Sequence, residues 1–201
     1  MTGFYRFVCS VTAVLARILF RFRVTGEENI PTDQNFIVCC NHISLIDPIF
    51  LMLAFPKRCI CFMAKESLFR KPVLGWALRK LRAIPIYRGG KGNLSAVKTG
   101  NEVLQNNDVL GIFPEGTRSK TGQLLQGKSG AVMIANRVGC PIVPCAVLTA
   151  KGKVRPFRKV LLRIGSPISL ECIAVENNSS SQLRNGTKYL MGEIASLMED
   201  A

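Results

Sequence analysis

The chain has 201 residues, of which 48% are apolar, and its mean hydropathy of +0.22 lies at the upper end for soluble globular proteins. This length suits one domain or two small ones and is ample for a hydrophobic core. The net charge is +14, and residues 51–100, with eleven basic residues and one acid, carry +10 of it. Such a concentration indicates an anionic partner: nucleic acid, anionic lipid or a phosphorylated substrate. A merely solvated surface is the alternative.

The eight cysteines are predicted to be reduced and to pack as small apolar residues. Cys39, Cys40, Cys59 and Cys61 lie in apolar runs typical of core strands, and no secretory signal with a small-residue cleavage site is evident. A zinc site built from these cysteines and His42 is the less favoured alternative, because structural zinc sites usually separate paired cysteines by two to four residues. We therefore expect no metal.

The first element is an apolar N-terminal helix, which we assign to residues 1–24 as a membrane-associating segment. Arginines interrupt it, so its longest uncharged run is Phe7–Ala16. A helix of that run extends about 15 Å, against about 30 Å of bilayer hydrocarbon, so the segment is not expected to span a membrane. Bulky apolar residues with interspersed arginines favour an amphipathic helix in the membrane interface, and ordinary docking on the core is the alternative.

Residues 25–201 are predicted to form a single α/β domain with a largely parallel or mixed central sheet flanked by helices. Helical patterns alternate along the chain with short apolar runs that are bounded by turn residues. The runs predict strands over residues 35–40, 58–64, 83–90, 109–113, 141–148 and 159–165. Polar residues that directly follow such strands lie where these sheets place their sites.

The only histidine, His42, lies in the motif NHISLID, residues 41–47. Ser44-x-x-Asp47 matches a capping box with the acid at the third helical position, which explains Asp47 without any catalytic role. In the functional interpretation, the Asp47 carboxylate accepts the imidazole N–H, fixes its tautomer and stabilises the imidazolium. The two interpretations are compatible, and the pattern alone does not decide between them.

The second motif is FPEGTRS, residues 113–119, which follows a predicted strand. Gly116 allows a backbone N–H to approach a ligand, Thr117 offers a hydroxyl, and Arg118 offers a two-pronged donor for phosphate. The alternative is a β-turn with a surface pair between Glu115 and Arg118. Arg88, beside two glycines in IPIYRGG, is a weaker candidate of the same kind.

Four motifs together resemble the glycerolipid acyltransferase family, and the resemblance is closest to the bacterial 1-acyl-sn-glycerol-3-phosphate acyltransferases. It covers about residues 20–165, and its motifs are NHISLID, IPIYRGG, FPEGTRS and CPIVPCAV. It implies a membrane-associated enzyme that transfers a fatty acyl group from a thioester to the sn-2 hydroxyl of 1-acylglycerol-3-phosphate (lysophosphatidic acid), giving phosphatidic acid. The thioester is acyl-CoA or acyl carrier protein, a co-substrate, and no other cofactor is expected.

The resemblance also implies roles for individual residues. His42 is the general base, oriented by Asp47, and no covalent acyl-enzyme forms. Lys65 is a candidate contact for the donor or the oxyanion, with a solvated lysine at a strand end as the alternative. The acceptor phosphate site comprises Arg88, Glu115, Gly116, Thr117 and Arg118.

The expected partners are the two substrates and an anionic membrane surface, with peripheral or monotopic attachment at the cytoplasmic face of the cell membrane. Nucleic acid is not expected, because the basic region lacks interleaved aromatic residues and no helix-turn-helix or zinc module is recognisable. Three alternatives stay open. The acceptor is glycerol-3-phosphate or another lyso-lipid; the chain is a non-enzymatic basic module that binds lipid or nucleic acid; or it is a cysteine hydrolase that uses Cys39 or Cys40.

Overall fold

The computed structural model describes residues 2–86, 92–106, 108–173 and 179–199. Apolar segments of these residues associate into one sheet, which confirms the predicted α/β class. Its strands are β1 (Arg23–Thr25), β2 (Ile37–Cys40), β3 (Ile60–Lys65), β4 (Ile84–Ile86), β5 (Val109–Ile112), β6 (Ile142–Thr149) and β7 (Val160–Ile164). Their order is β1-β7-β6-β2-β5-β3-β4. The pair β6–β7 is antiparallel and the other neighbouring pairs are parallel, so the sheet is mixed.

Helices in the described residues flank the sheet and connect its parallel strands. They are α1 (Gly3–Phe20), α2 (Asp47–Ala54), α3 (Glu66–Phe69), α4 (Pro72–Lys80), α5 (Gly92–Gln105), α6 (Gly130–Val138), α7 (Leu170–Ile173) and α8 (Ser180–Glu199). Short 3₁₀ turns occupy Glu27–Asn29 and Ala150–Gly152. Parallel strands need such crossover connections because the chain leaves one strand at one end of the sheet and must enter the next strand at the opposite end.

The central strands form the middle of the core. All four residues of β2 are fully buried, as expected for a parallel strand covered on both faces. Cys39 and Cys40 belong to this strand, and burial raises the pKa of both thiols. Thiols in such surroundings are poor nucleophiles and pack as small apolar groups. All eight cysteines are free of disulfides in the structure.

One face of α1 packs on the core, as the docking alternative anticipated. The side chains of Tyr5 and Ala16 are buried, and the Tyr5 hydroxyl accepts a hydrogen bond of 3.0 Å from the backbone N–H of Ile60. Near the end of the helix, Phe20 lies edge-on to Phe50 of α2, with ring centroids 5.5 Å apart. These contacts fix the helix along its length.

The other face of α1 is apolar and exposed. By length and composition the 18-residue helix is sufficient to cross a membrane, which differs from the expectation based on its shorter uncharged run. Core helices and signal sequences satisfy the same criterion, so this is weak evidence of membrane association. The exposed apolar side chains are Phe7, Val11, Val14, Leu15 and Ile18.

Strand β1 was not predicted from the sequence, and it begins inside the segment assigned to the N-terminal helix. The helix ends because Arg21 adopts a left-handed conformation with φ of 42°. The chain then pairs in parallel with β7, with Arg23 opposite Leu161. An edge strand of three residues has no apolar run, and its partner is far away in sequence, so periodicity does not reveal it.

The arrangement of three neighbouring strands positions the site. In the order β6-β2-β5 both pairs are parallel, and Cys39 of β2 lies opposite Pro144 and Ile112. The residues that follow these strands therefore emerge at the same edge of the sheet. His42 follows β2, the FPEGTRS segment follows β5, and the segment around Lys153 follows β6. Strand β3 is parallel to β5 and ends at this edge with Lys65.

Candidate active site

His42 and Asp47 form a hydrogen-bonded pair. The Asp47 side chain is fully buried, and its Oδ2 lies 2.9 Å from Nδ1 of His42. The same oxygen accepts the backbone N–H groups of Ile43 and Ser44, each at 2.7 Å. A carboxylate only accepts, so Nδ1 carries the proton and Nε2 is the basic nitrogen. The His42 side chain is 17% exposed and thus accessible from the solvent side.

The predicted capping box is realised in part. The Ser44 N–H donates to Asp47, as that motif requires, but the Ser44 hydroxyl accepts from Ile46, at 3.4 Å, and not from Asp47. Helix α2 begins at Asp47 itself, two residues later than the capping box implies, with Pro48 in its first turn. Asp47 is therefore the first helical residue, and its carboxylate holds the loop that precedes it.

An aromatic stack supports the imidazole ring. The rings of His42 and Phe113 are stacked with centroids 4.1 Å apart and an interplanar angle of 19°. Phe113 in turn stacks with Phe62 at 5.7 Å and 13°. Gly111 leaves room for this column, because a Cβ there would lie 2.5 Å from the Phe62 ring. Sequence reasoning missed Phe113, although it is the first residue of FPEGTRS.

Glu115 binds the backbone of the histidine loop. Its Oε1 accepts the His42 N–H at 2.6 Å, and its Oε2 accepts the Leu125 N–H at 3.0 Å. The Ser119 N–H donates to the His42 carbonyl at 2.7 Å, so the segment 113–119 holds both backbone groups of His42. Burial raises the pKa of the Glu115 carboxyl, and the two N–H donors act in the opposite direction. Glu115 is only 3% exposed.

The next three residues form a turn that leads outward. Gly116 has φ of +67°, which favours glycine, and its N–H donates to the Phe113 carbonyl at 3.0 Å. This N–H therefore closes the turn. The assignment of Gly116 to the phosphate site, where it would let a backbone N–H approach a ligand, stays a prediction. Thr117 and Arg118 are exposed and line a cleft next to the histidine loop.

This cleft has a volume of about 530 Å³ and a cationic lining. Among the described residues that line it, four are basic and none is acidic. It begins at Ile43 and Ser44, immediately after His42, so the cationic cleft adjoins the loop that carries the imidazole. The basic residues are Arg118, Lys120, Lys153 and Arg155. Such a lining suits a phosphate or another compact anion.

A contact between two glycines brings the segment 153–155 to the cleft. Gly122 and Gly152 have φ of +84° and +63°, and a Cβ on either would lie far inside van der Waals contact with the backbone of the other. Sequence reasoning missed this segment. The signal was present, because residues 151–159, between β6 and β7, contain five basic residues.

Several cations of the basic region 51–100 are used inside the molecule. Arg82 forms an ion pair of 2.6 Å with Asp108, and Arg79 donates to the Phe69 carbonyl at 3.1 Å. Arg70 pairs with Glu66 one helical turn away. The basic residues of this region therefore do not all belong to one surface that could bind an anion.

The remaining predicted site residues are Lys65 and Arg88. Lys65 is exposed at the same edge of the sheet. Arg88 lies outside the described residues, so its assignment stays a prediction.

Asn41, to which the sequence assigned no chemistry, is buried and bonds the Val147 N–H and carbonyl at 2.7 and 3.0 Å, which holds the end of β2 against β6. Within the described residues, no group of three or more His, Cys, Asp or Glu side chains is arranged to hold a metal.

These features define an α/β protein with a histidine–carboxylate pair beside a cationic cleft. The chain belongs to the acyltransferase family, whose model, described as Acyltransferase, matches residues 21–148. This confirms the family resemblance of the four motifs.

Relatives and a solved structure agree with this membership. The 1-acyl-sn-glycerol-3-phosphate acyltransferase of Bacillus subtilis is 33% identical over 166 residues, which are 82% of this chain and 82% of that protein. The enzyme of the same name from Saccharomyces cerevisiae is 34% identical over 190 residues, 89% of this chain and 57% of that protein. The crystal structure of the 1-acyl-sn-glycerophosphate (LPA) acyltransferase PlsC from Thermotoga maritima matches with a TM-score of 0.71 and 30% identity, covering 96% of this chain and 76% of that one.

The two hydrogen bonds that Glu115 accepts from the His42 and Leu125 N–H groups, which we call the Glu115 clamp, lead to a stability prediction for Glu115→Gln. A glutamine accepts through one atom only, so its NH₂ group faces one of the two backbone N–H donors. We expect the free energy of unfolding to fall by about 1–3 kcal/mol, as for a buried donor left without an acceptor. Urea titration measures this change. Glu66→Gln, which removes a partly exposed surface pair, is the control and should cost less than about 1 kcal/mol. Equal stability of both variants would contradict the clamp.

Proposed function

We propose that this protein transfers a fatty acyl group from an acyl thioester to the sn-2 hydroxyl of 1-acylglycerol-3-phosphate, which gives phosphatidic acid for phospholipid synthesis. The observation that carries the proposal is the His42–Asp47 pair next to a cleft lined by four cations. The names of the relatives support this acceptor. The donor is a thioester of coenzyme A or of acyl carrier protein, both of which are anionic.

In the proposed reaction, Nε2 of His42 takes the proton of the acceptor hydroxyl. The hydroxyl oxygen then bonds to the thioester carbonyl carbon, and Asp47 balances the charge of the imidazolium. When the tetrahedral intermediate collapses, the C–S bond breaks and His42 returns the proton to the departing sulfur. An acyl thioester is already activated, so a positioned base and an oriented acceptor suffice. No covalent acyl-enzyme is needed.

Two groups position His42 in this mechanism. The face of Phe113 contacts the imidazole ring, and an aromatic face stabilises a neighbouring cation by about 0.5–2 kcal/mol. Glu115 holds the His42 backbone, and we place its carboxylate in this clamp, not against the substrate phosphate, because it is buried and each of its oxygens accepts a backbone N–H. A Glu115 carboxylate in contact with the substrate phosphate would also be repelled by it, because both groups are anions.

The acceptor phosphate lies in the cationic cleft. Arg118 donates to it in a two-pronged manner, the Thr117 hydroxyl adds a donor, and the lysines and Arg155 supply further positive charge. Arg88 belongs to the same proposed site on the resemblance alone. Lys65, at the same edge of the sheet, is proposed to contact the donor or the oxyanion.

The proposed location is the cytoplasmic face of the cell membrane, with monotopic attachment. The buried Tyr5 and Ala16 bind one face of α1 to the core, which opposes a spanning orientation. The exposed apolar residues of α1 lie opposite that face on a helical projection, and Arg6 and Arg17 are exposed along one side. This arrangement suits a helix in the plane of the interface.

The first test is a mass-spectrometric acceptor screen with both donors in the presence of detergent or liposomes. We expect phosphatidic acid from lysophosphatidic acid, and we expect His42→Ala to lower kcat by about 10²- to 10⁴-fold, the usual worth of a general base. Asp47→Asn should also lower kcat, because an amide does not hold the imidazole in the same tautomer.

The control for this test is Cys40→Ala, which removes a buried thiol next to the histidine loop. It should retain acyl transfer if no acyl-cysteine forms. Near-normal acylation by His42→Ala, or activity lost only with Cys40→Ala, would contradict the proposed chemistry. Acylation of glycerol-3-phosphate alone would contradict the proposed acceptor.

The aromatic stack gives a separate prediction. Phe113→Leu removes the ring face, and we expect kcat to fall by about 3- to 30-fold, equivalent to the energy of a cation on an aromatic face. The KM for lysophosphatidic acid should stay unchanged, because the cleft residues are not altered. Phe113→Tyr keeps the ring and should restore most of kcat. An equal loss in both variants would contradict the role of the ring face, because Phe113→Tyr retains that face.

Arg118→Ala tests the phosphate site. Loss of a charge-assisted contact common to ground and transition states should raise the KM for lysophosphatidic acid by about 10- to 100-fold and leave kcat nearly unchanged. Steady-state kinetics at saturating donor measure both constants. Arg184→Ala, an exposed arginine on α8, is the control and should change neither. An increase confined to the KM of the donor would assign the cleft to the thioester.

A further inference from the structure

The helix α4 carries an exposed apolar face that neither the proposed chemistry nor the cleft uses. Val73 is 81% exposed, Leu74 39% and Trp76 52%. Single exposed apolar residues are ordinary, but three within about one helical turn form a patch, and Trp76 is the only tryptophan in the sequence. Tryptophan at such a position usually has a partner that is apolar on one side and polar on the other.

The inner face of α4 is held rigidly, so these side chains have no room to fold inward. Gly75 is buried, and a Cβ there would lie far inside van der Waals contact with the carbonyl of Phe69 in α3. The Arg79 guanidinium donates to the same carbonyl at 3.1 Å. These two contacts bind α4 to α3 and keep Trp76 on the outer face.

The patch on α4 is continuous with the exposed face of α1. The Phe4 ring lies edge-on to the Trp76 ring, with centroids 5.2 Å apart. On a helical projection, Phe4 lies on the same side of α1 as the exposed residues Val11 and Leu15. The two helices therefore contribute to one apolar surface, which we call the α1–α4 surface. It comprises Phe7, Val11, Val14, Leu15 and Ile18 of α1 and Val73, Leu74 and Trp76 of α4.

Charges around this surface specify an anionic partner. Neither α1 nor α4 contains an acidic residue. Lys71 and Lys80 are exposed at the two ends of α4, and Arg6 and Arg17 are exposed on α1. A partner must therefore present negative charge at its surface and apolar groups just beneath. A bilayer of anionic phospholipids has both, and a nucleic acid duplex has no accessible apolar interior.

We propose that the α1–α4 surface binds an anionic phospholipid bilayer, with Val73 and Trp76 of α4 inserted at the interface. The proposal deepens the proposed function and rests on its membrane location. It assigns to α4, in the middle of the catalytic domain, a contact that the N-terminal helix alone does not provide. Contact through two helices fixes the orientation of the domain on the membrane. Contact through α1 alone would leave the domain able to tilt about the axis of that helix.

The native tryptophan reports on this contact in the full chain. On addition of phosphatidylcholine vesicles that contain phosphatidylglycerol, we expect the Trp76 emission to shift to shorter wavelength. Phospholipids brominated in their acyl chains should quench it, because the indole then lies at the depth of the upper acyl chains. Vesicles of phosphatidylcholine alone should give a weaker response, because the surrounding cations then have no anionic headgroups.

Variants separate the two helices. Val73→Asp keeps the tryptophan and should weaken vesicle binding roughly tenfold, because it replaces an inserted apolar group with a charge of the same sign as the lipid. Val14→Asp should give a comparable loss through α1. Tyr189→Asp, at an exposed ring on α8, is the matched control and should bind as the unaltered chain does. Val73→Asp should retain full activity on lysophosphatidic acid dispersed in detergent, which shows that its fold is intact.

The possible results distinguish this proposal from the proposed function. If the protein sediments with anionic vesicles while the Trp76 emission stays unchanged, α4 does not bind the bilayer and the proposal is overturned. A spectral shift that follows protein concentration without lipid, or that appears only with acyl carrier protein, would assign the surface to a second copy or to the donor and would also overturn it. Absence of acyl transfer in detergent counts against the proposed function alone.

Discussion

The loop that carries His42 is held by two buried carboxylates, and the rest of the site depends on them. A buried carboxylate is stabilised by the hydrogen-bond donors that reach it, and at Asp47 three donors reach Oδ2. Asp47 collects the imidazole N–H and two backbone N–H groups, and Glu115 collects the N–H groups of His42 and Leu125. Each acid thereby fixes a different part of the same residue, Asp47 the ring and Glu115 the main chain. The position of the imidazole follows from the need to satisfy these charges.

The sheet makes this arrangement possible across 73 residues of sequence. Because β2 and β5 are parallel neighbours, the residues that follow them meet at one edge, and β6 brings a third segment to the same place. The Phe113 ring contacts two rings from other segments of the sheet, since it stacks on His42 and on Phe62 of β3. Gly111 permits this stacking, because a side chain in the middle of β5 would displace Phe62. Segments from β2, β3 and β5 thus hold the imidazole, and the segment after β6 supplies residues of the neighbouring cleft.

The sequence allowed the α/β class, six of the strands and the His42–Asp47 pair to be predicted, because these depend on local periodicity and on residues close together in the chain. Its misses share a physical cause. Strand β1 is defined by pairing with β7, the clamp of Glu115 by two distant N–H groups, and the cleft segment 153–155 by a contact between two glycines. None of these leaves a periodic signal. The start of α2 differed because Asp47 serves the loop instead of a capping box.

The positive charge of the chain is divided among three uses that composition does not separate. Arg79 and Arg82 satisfy backbone and carboxylate groups within the fold. The residues around Arg118 line the cleft, and lysines at the ends of α4 surround an apolar face. A lysophospholipid acceptor has a phosphate and an acyl chain, so it demands a cationic cleft and an apolar surface on the same molecule. In the proposed orientation on two helices, the domain would take such a substrate from the bilayer without releasing its chain into water, and exposing that chain would cost about 0.8 kcal/mol per methylene. On this proposal, the basic excess and the exposed Trp76 both serve the binding of one kind of substrate.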